Sequence, residues 1–522
     1  MRVFLSFTGG GQLLTWSAMH LVFTISLGLL FLCGCQSLPP VQHAQFEPVL
    51  TAPQDSQLRM LSNQMQQAES GSHFLLLNKA DEALKWRLAL IDSAVSSLDI
   101  QTFLWNDDVS GALVFDRVLE AATRGVRVRL LVDDIWLSSD PAGLAAIESH
   151  PYVAIRLYNP NKVRSNSFGQ MVYFMMNFSK MNRRMHNKTF IADGVFAING
   201  GRNIGDNYYG LSKKYNFRDL DVLSTGAVLG QVNHEFDRFW NSAMAYPASL
   251  LSNKADNFDL KRGLDKLRSE VSDHKEYKLQ SYPDGSANWS ARLNTLPQRM
   301  VSGTAEFIGD DPLGEDRAVV DSLTVGLAAA EREIIIVSPY FIPLSAAFSK
   351  IGEMTKQGVR VKIVVPSLGA NNQTMAHSHY RKYRRAILDA GCELYEYNFQ
   401  PNAQQRALCD VAPVTAPFIG MHMKAVLVDR ETCFIGSLNM DPRAMDLNTE
   451  EGLIVHSPKL TEQLYQHISS MVEPANSWKL EYDSKGRIVW RGLETLTRQP
   501  ARGMSQRIID SLTRWLPIES QL

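Results

Sequence analysis

Two copies of one short pattern carry the residues best suited to chemistry. They are His186, Lys188 and Asp193 in MHNKTFIADG, and His422, Lys424 and Asp429 in MHMKAVLVDR. Each copy reads H-x-K-x-x-x-x-D. A single H-x-K is typical of a surface strand, whereas two copies with the same spacing, more than 200 residues apart, indicate a shared catalytic role.

An imidazole beside an ammonium group suits an anionic substrate with an electrophilic centre, above all a phosphodiester. The Lys neutralises a phosphate oxygen, while the His attacks phosphorus or delivers a proton. If the two copies meet at one site, one His forms a covalent phospho-imidazole and the other protonates the departing alkoxide. Two lysines and two asparagines can hold the charge, so we expect no metal and no cofactor.

The two Asp residues have a structural alternative. Apolar, often β-branched residues separate His from Asp, so both segments are predicted as strands, in which His and Lys share a face. The Asp has the opposite parity, and Asp193-Gly194 is a turn signal. A catalytic and a structural role for Asp193 and Asp429 therefore both remain open.

A Gly/Asn element follows each copy. The elements are Gly200, Gly201, Arg202 and Asn203 in the first, and Gly436, Ser437, Leu438 and Asn439 in the second. With these motifs the chain resembles the phospholipase D superfamily, whose members carry H-x-K-x4-D twice and use a phosphohistidine intermediate. Within it, the runs NRRMHNKTFIADGVFAINGGRNIGDNYYG and PFIGMHMKAVLVDRETCFIGSLNMDPRAMDLNTEEG resemble bacterial cardiolipin synthases of the C type, over residues 70 to 522.

The resemblance implies a role for each site residue. It makes His186 the nucleophile and His422 the general acid, and Asp219 and Glu450 are the acids that orient the histidines. The residues implied on the phosphate or substrate are Lys188, Lys424, Asn203, Asn439 and Ser437. The first copy has Gly201 where the second has Ser437, so we do not expect the two halves to contribute equally.

The elements around the motifs are duplicated as well. GVRVRLLV at 125–132 answers GVRVKIVV at 358–365, and each follows an apolar strand and an amphipathic stretch. Strand, helix and buried strand are typical of a βαβ unit, which predicts an α/β fold. The resemblance implies two tandem phospholipase D-like domains with pseudo-two-fold symmetry and the active site at their interface. The expected boundaries are a signal or anchor (1–35), a tether (36–69), domain one (70–245), a connector (246–304), domain two (305–475) and a tail (476–522).

The N-terminus predicts attachment to a bacterial membrane. Residues 13–34 contain no Lys, Arg, Asp or Glu and lead into Leu32-Cys33-Gly34-Cys35, which is typical of a lipoprotein signal with Cys35 lipidated. An uncleaved transmembrane helix is the alternative. The sequence leaves open whether the inner or the outer membrane holds the protein. The remaining cysteines Cys392, Cys409 and Cys433 show no disulfide or metal spacing, so we expect them to be buried.

The tail ends in a second amphipathic pattern. Ile508, Ile509, Leu512, Trp515 and Leu516 have helical spacing in MSQRIIDSLTRWLPIESQL. Such a stripe can lie on a membrane surface, but packing against the protein core is the more common explanation, and we expect it here.

Charge and resemblance together rank the functions. The chain has 53 basic and 54 acidic residues and a net charge of −1, so we expect no nucleic-acid partner and disfavour a nuclease. The resemblance implies transfer of a phosphatidyl group from a phospholipid, with phosphatidylethanolamine a candidate donor, to phosphatidylglycerol. It is also compatible with a small membrane partner protein. A phospholipase D hydrolase is the main alternative, and the intact histidines disfavour a noncatalytic scaffold.

Overall fold

The architecture is taken from a computed structural model, which describes residues 41, 46–134, 144, 147–161, 175–251, 269, 282–283, 285–343 and 345–521. The predicted signal and Cys35 lie outside the described residues. The chain divides into two compact units: Met1–Pro40 with Asn161–Met181, and Val41–Pro160 with Asn182–Leu522. The first unit contains one helix whose two ends are both among the described residues, the single turn Phe178–Met181. All further elements belong to the second unit.

The first half contains a mixed sheet flanked by helices. The strands of this half are β1 (Ser72–Leu77), β2 (Ser97–Thr102), β3 (Arg127–Asp133), β4 (Val153–Tyr158), β5 (Thr189–Ala192), β6 (Phe196–Gly200), β7 (Asn216–Arg218), β8 (Asp221–Gly226) and β9 (Ala245–Pro247). Strand β7 lies outside the mixed sheet. The helices of this half are α1 (Gln57–Ala68), α2 (Ala80–Ser93), α3 (Val109–Thr123), α4 (Asp206–Tyr209) and α5 (Leu229–Trp240). Strands β2, β3 and β4 are parallel, so β2, α3 and β3 form the predicted βαβ unit.

The second half repeats this plan. Helices α6 (Ser286–Leu293) and α7 (Leu296–Arg299) lead into it. Its strands are β10 (Val301–Gly309), β11 (Glu333–Val337), β12 (Arg360–Pro366), β13 (Glu393–Tyr397), β14 (Ile419–Met421), β15 (Ala425–Val428), β16 (Thr432–Gly436), β17 (Glu451–His456), β18 (Ser477–Tyr482), β19 (Ile488–Arg491) and β20 (Thr495–Leu496). Its helices are α8 (Ala318–Ala328), α9 (Ser345–Lys356), α10 (Thr374–Tyr380), α11 (Arg384–Asp389), α12 (Ala403–Cys409), α13 (Pro442–Asp446), α14 (Pro458–Met471) and α15 (Met504–Thr513).

The repeated glycine of the GVRV segments ends a helix in each half. Helix α3 begins after Asp108, whose side chain accepts the Gly111 N–H at 3.0 Å, and it is followed by Gly125 at φ +94°. Gly358 has φ +97° after α9. A left-handed residue at this position favours glycine and turns the chain into the next buried strand. The two GVRV segments therefore make the same turn, one in each half.

The two halves share one 18-stranded sheet. From the centre outwards the first half runs β1-β8-β6-β5-β2-β3-β4, and the second runs β10-β17-β16-β15-β11-β12-β13. Strands β1 and β10 pair antiparallel and join them. The α/β class and the duplicated plan are confirmed. Cys392, Cys409 and Cys433 are buried and unpaired, as expected.

The C-terminal helix contradicts one expectation. The stripe predicted to pack against the core is exposed on α15 and just beyond it, at Ile508, Ile509, Leu512, Trp515 and Leu516. The side of α15 that is buried contains Gln506 and Asp510 instead. Across the described ranges, no helix combines the length and the hydropathy needed to cross a bilayer.

Candidate active site

The histidine of each motif forms a backbone hydrogen bond with the other half. The His186 N–H donates to the Thr449 carbonyl at 3.0 Å, and the His422 N–H donates to the Arg218 carbonyl at 2.9 Å. Strands β7 and β14 pair in parallel just before His422, and Met185 forms an equivalent parallel bridge with Thr449. Each histidine is therefore anchored beside the residue that precedes an acid of the opposite half.

These contacts produce two crossed histidine–carboxyl pairs. His186 Nδ1 lies 2.9 Å from Glu450 Oε2, and His422 Nδ1 lies 2.7 Å from Asp219 Oδ2. Both acids are fully buried, whereas His186 and His422 are 6% and 5% exposed. A carboxyl oxygen on Nδ1 fixes the ring and favours the tautomer with its lone pair on Nε2. That nitrogen is the one available for attack or proton transfer.

The two motif lysines lie against the histidines. Lys424 Nζ is 3.0 Å from each ring nitrogen of His422, and Lys188 Nζ donates to the His186 carbonyl. Burial lowers the pKa of Lys188 to about 8 and that of Lys424 to about 7, although nearby carboxylates oppose the shift. Two ammonium groups at one site are suited to bind a phosphodiester anion.

The pKa shifts distinguish the two pairs. Burial disfavours charge on Asp219, but His422 and Lys424 outweigh it and hold the pKa of Asp219 below its usual value. Burial raises the pKa of Glu450 to about 8, despite the opposing effects of Lys188 and Ser437. The acid facing His422 is therefore held ionised more firmly than the acid facing His186.

Both imidazoles are held in their neutral form. Burial and then the charges of Lys188 and Lys424 keep the pKa of His186 well below its usual value. Burial and Lys424 lower the pKa of His422 to about 3, against the opposing charge of Asp219. A neutral imidazole is the form that can act as a nucleophile.

Glu451 is a site residue that the sequence reasoning missed. Its carboxyl accepts the Lys188 N–H at 2.6 Å, the Thr189 hydroxyl at 2.7 Å and the Asn187 amide at 3.2 Å. It therefore fixes the first motif from the opposite half, next to Glu450. The paired acids in TEEG were the available signal, but adjacent residues on a strand normally face opposite sides.

The two asparagines occupy different environments. Asn203 Nδ2 donates to the Tyr208 hydroxyl at 2.8 Å, and its Oδ1 accepts the Leu104 N–H at 3.1 Å. The Tyr208 ring meets the His422 ring edge-on at 5.4 Å. Asn439 is buried, and its Oδ1 has no hydrogen-bond partner among the residues that are described. Asn203 thus supports the wall beside His422, whereas the Asn439 oxygen is a buried acceptor that the described residues leave unused.

Ser437 contacts an acid rather than an open substrate space. Its hydroxyl donates to Glu450 Oε2 at 2.5 Å and accepts the Glu451 N–H at 2.9 Å. The residue predicted to bind substrate is therefore placed to orient Glu450. This geometry favours a positioning role for its hydroxyl.

Gly201, which takes the place of Ser437 in the first half, is required by the site. A Cβ built on Gly201 would lie 2.2 Å from Asp219 Oδ1. The carboxylate of Asp219 fills the space that a side chain would need. The expected inequality of the halves has this steric cause.

Asp193 and Asp429 are placed away from the crossed pairs. Asp193 accepts the N–H groups of Val95, Ser96 and Ser97 at 2.7 to 3.1 Å, just before and at the start of β2. Asp429 accepts three equivalent N–H groups around the start of β11 at 2.7 to 2.9 Å. Both have φ +54°. The geometry favours the structural interpretation, in which each Asp fastens the turn after the motif strand to a neighbouring strand.

No metal site accompanies these groups in the described part of the chain: His, Cys, Asp and Glu side chains do not gather there in threes or more around a point where an ion could sit. Phe103 and Phe217 add apolar walls, with ring centroids 5.1 Å from His186 and 4.8 Å from His422.

Comparison with known proteins gives a consistent result. The family model described as cardiolipin synthase, PLD-like domain, matches residues 88–240 and 323–472. Cardiolipin synthase C of Escherichia coli (strain K12) is 34% identical over 466 residues, which cover 85% of this chain and 94% of that protein. An uncharacterized protein of Helicobacter pylori is 27% identical over 481 residues, covering 91% of this chain and 93% of its own.

A solved structure shares the fold. The phosphatidylserine synthase of Haemophilus influenzae Rd KW20 superimposes with a TM-score of 0.54 and covers 88% of this chain and 100% of its own, at 16% identity. At that identity the similarity concerns the fold alone. The two matched segments of the family model each contain one histidine motif.

Proposed function

Because the chain belongs to the family of cardiolipin synthase PLD-like domains, we propose that it is a phosphatidyltransferase that makes cardiolipin. The phosphatidyl group comes from a phospholipid donor, with phosphatidylethanolamine a candidate, and the acceptor is a hydroxyl of phosphatidylglycerol. The relative named cardiolipin synthase C, which the match covers over 94% of its length, supports this substrate class.

The observation that carries the proposal is the pair of crossed histidines. Each neutral imidazole has a carboxyl group on Nδ1 and a lysine nearby, and the two rings belong to different halves. A double displacement at phosphorus needs a nucleophile and a separate proton carrier. The two crossed pairs support the assignment of these two roles to His186 and His422.

In the first step, His186 Nε2 attacks phosphorus and forms the N–P bond. The bond from phosphorus to the headgroup oxygen breaks, and His422, which takes up a proton on Nε2 when the phosphodiester anion enters the site, gives that proton to the oxygen. Lys188 and Lys424 balance the charge on the non-bridging oxygens. His422 is the better proton carrier because the ionised Asp219 stabilises its imidazolium form, while Glu450 has a raised pKa and adds less charge at His186.

In the second step, His422 takes the proton from the acceptor hydroxyl, and the resulting oxygen attacks phosphorus. The N–P bond breaks and His186 is regenerated. Water in place of the alcohol would give phosphatidic acid, the product of a hydrolase. The low exposure of both histidines supports transfer, because it restricts the water that reaches the covalent intermediate.

We also propose that the chain is held at a bacterial membrane through Cys35, where both substrates reside. The uncharged segment 13–34 supports this, and an uncleaved membrane helix would serve the same purpose. A small partner protein in the membrane remains compatible with the proposal.

The test is product analysis with purified full-length protein and labelled phosphatidylglycerol, with and without phosphatidylethanolamine. Wild type is compared with His186→Ala, His422→Ala and the control His234→Ala, which changes an exposed histidine. We expect cardiolipin from wild type and His234→Ala and none from the other two. Phosphatidic acid as the sole product would mean a hydrolase, and absence of any lipid product would refute the proposal.

A further inference from the structure

Helix α15 packs against the rest of the protein through its polar side. Asp510 is buried, and its Oδ1 lies 2.9 Å from His377 Nδ1 on α10. Asp510 Oδ2 also contacts Arg381 and accepts from Gln499 at 2.8 Å. Gln506, one turn earlier, donates to the Leu368 carbonyl at 2.6 Å. An amphipathic helix on a soluble protein normally buries its apolar side, so this orientation is inverted.

The opposite side of α15 and the turn after it present large apolar side chains to the surroundings. Their exposed fractions are 70% for Met504, 52% for Ile508, 49% for Ile509, 67% for Leu512, 75% for Trp515 and 44% for Leu516. A spacing of four residues places Met504, Ile508 and Leu512 on one face of α15, and Trp515 and Leu516 follow in the turn after it. Single exposed apolar residues are ordinary, but a contiguous cluster of this kind marks a surface that another phase or molecule covers.

We propose that this apolar face, Met504 to Leu516, inserts into the headgroup region of an anionic phospholipid bilayer. The charge of the segment supports a lipid surface over a protein partner. Between residues 498 and 516 the chain has four arginines and one acid, and that acid, Asp510, is buried and paired. Basic side chains beside Trp and branched apolar residues are the composition of helices that lie in a membrane interface.

The same tail is fixed to both halves of the active site. Before α15, the Arg502 guanidinium lies 3.7 Å from the ring centroid of Phe418, four residues before His422. After it, the Gln521 side chain accepts from Asn182 at 2.5 Å, four residues before His186. The Gln521 carbonyl also accepts from Arg443 at 3.3 Å. A tail that contacts the lead-in to each motif couples the position of α15 to the site.

The consequence concerns how the substrate arrives. A phosphodiester of a bilayer lipid lies at the headgroup level, which is also the depth at which an interfacial helix rests. Because the tail contacts the lead-in to each motif, insertion of α15 would hold the seam between the halves close to the lipid surface. The role of α15 in substrate delivery rests on the proposed phosphatidyl transfer, whereas the contact of α15 with lipid does not.

The direct test measures Trp515 in the full-length protein reconstituted in vesicles of phosphatidylglycerol and phosphatidylethanolamine. Fluorescence quenching by acyl-chain-brominated lipids is compared between wild type, Trp515→Phe and the control Trp289→Phe, which removes a buried tryptophan. We expect Trp515→Phe, but not Trp289→Phe, to remove a quenched component. An unquenched Trp515, as when a second copy or another protein covers the face, overturns the proposal.

A kinetic test separates docking from folding. The variant Ile508→Ser/Leu512→Ser is assayed on vesicles and on a short-chain phosphatidyl substrate that stays monomeric in water. We expect a loss of about tenfold or more on vesicles and no change on the monomer, because only the vesicle reaction needs the apolar face. The control Val325→Ser, at a 71% exposed position on α8, should retain both activities.

The outcomes distinguish this inference from the proposed function. Equal losses on vesicles and monomers mean that the face only stabilises the fold, and unchanged vesicle activity means that it does not dock the enzyme. If wild type turns over neither substrate, the proposed transfer fails, while the quenching of Trp515 still decides whether α15 contacts lipid.

Discussion

Asp219 of the first half and His422 of the second lie 2.7 Å apart, and Glu450 and His186 repeat the pair in the opposite sense. Neither half contains a histidine together with the acid that orients it. The proposed catalytic set is therefore complete only when both halves are packed together.

The two acids should differ in importance. Asp219→Asn removes a charge that is held ionised beside His422, so we expect kcat to fall by about 100-fold or more. Glu450→Gln removes a carboxyl whose pKa is raised, and we expect a smaller loss, about tenfold. Steady-state rates on mixed vesicles measure both. Equal losses, or a greater loss in Glu450→Gln, would contradict the different charge states that we assign.

The lysines should give the enzyme an alkaline limit. The pKa of Lys424 is lowered to about 7 and that of Lys188 to about 8, chiefly by burial. Each carries its charge below that pH and loses it above, so kcat/KM should fall as the pH rises through this range. Lys424→Arg should move the fall to higher pH, because guanidinium stays protonated. A pH profile that Lys424→Arg leaves unmoved would show that another group sets the limit.

Gly201 should tolerate no side chain. In Gly201→Ala the new Cβ would meet the Asp219 carboxylate at 2.2 Å and displace it from His422. We expect at least about a tenfold loss of kcat, in line with a misplaced acid–base group. The matched control is Gly230→Ala on α5, where a Cβ meets nothing within 4 Å. Activity in Gly201→Ala equal to that of the control would refute the steric account.

Asp193 should matter for stability rather than for the reaction. Asp193→Ala leaves three backbone N–H groups near β2 without their acceptor, so we expect the free energy of unfolding to fall by about 2 to 4 kcal/mol. Chemical denaturation measures the loss. The kcat of the folded protein should stay close to that of wild type. A collapse of kcat comparable to that of His186→Ala, with unchanged stability, would restore the catalytic interpretation of this Asp.

The local pattern of the chain predicted the plan of the fold. Apolar strands, the amphipathic stretches and the GVRV glycines predicted a duplicated βαβ unit, because side-chain periodicity and a left-handed turn are properties of short segments. The same reasoning identified His186 and His422 as candidates, since an imidazole and an ammonium two residues apart are visible in a single strand.

The pairing of each histidine with an acid of the other half could not be predicted from such local patterns. His186 and Glu450 are 264 residues apart, and no local signal says that an acid serves the other half. The orientation of α15 was predicted wrongly for a related reason. Its stripe is plain in the sequence, but the side that docks is decided by Asp510 meeting His377, 133 residues away.

The most direct test of the account is to trap the covalent intermediate. Full-length protein is mixed with phospholipid donor labelled at phosphorus, quenched in alkali, which preserves phosphohistidine, and digested for mass spectrometry. We predict the label on His186 in wild type and none in His186→Ala. Label on His422, or continued cardiolipin formation by His186→Ala, would contradict the assignment of His186 as nucleophile and His422 as its proton carrier.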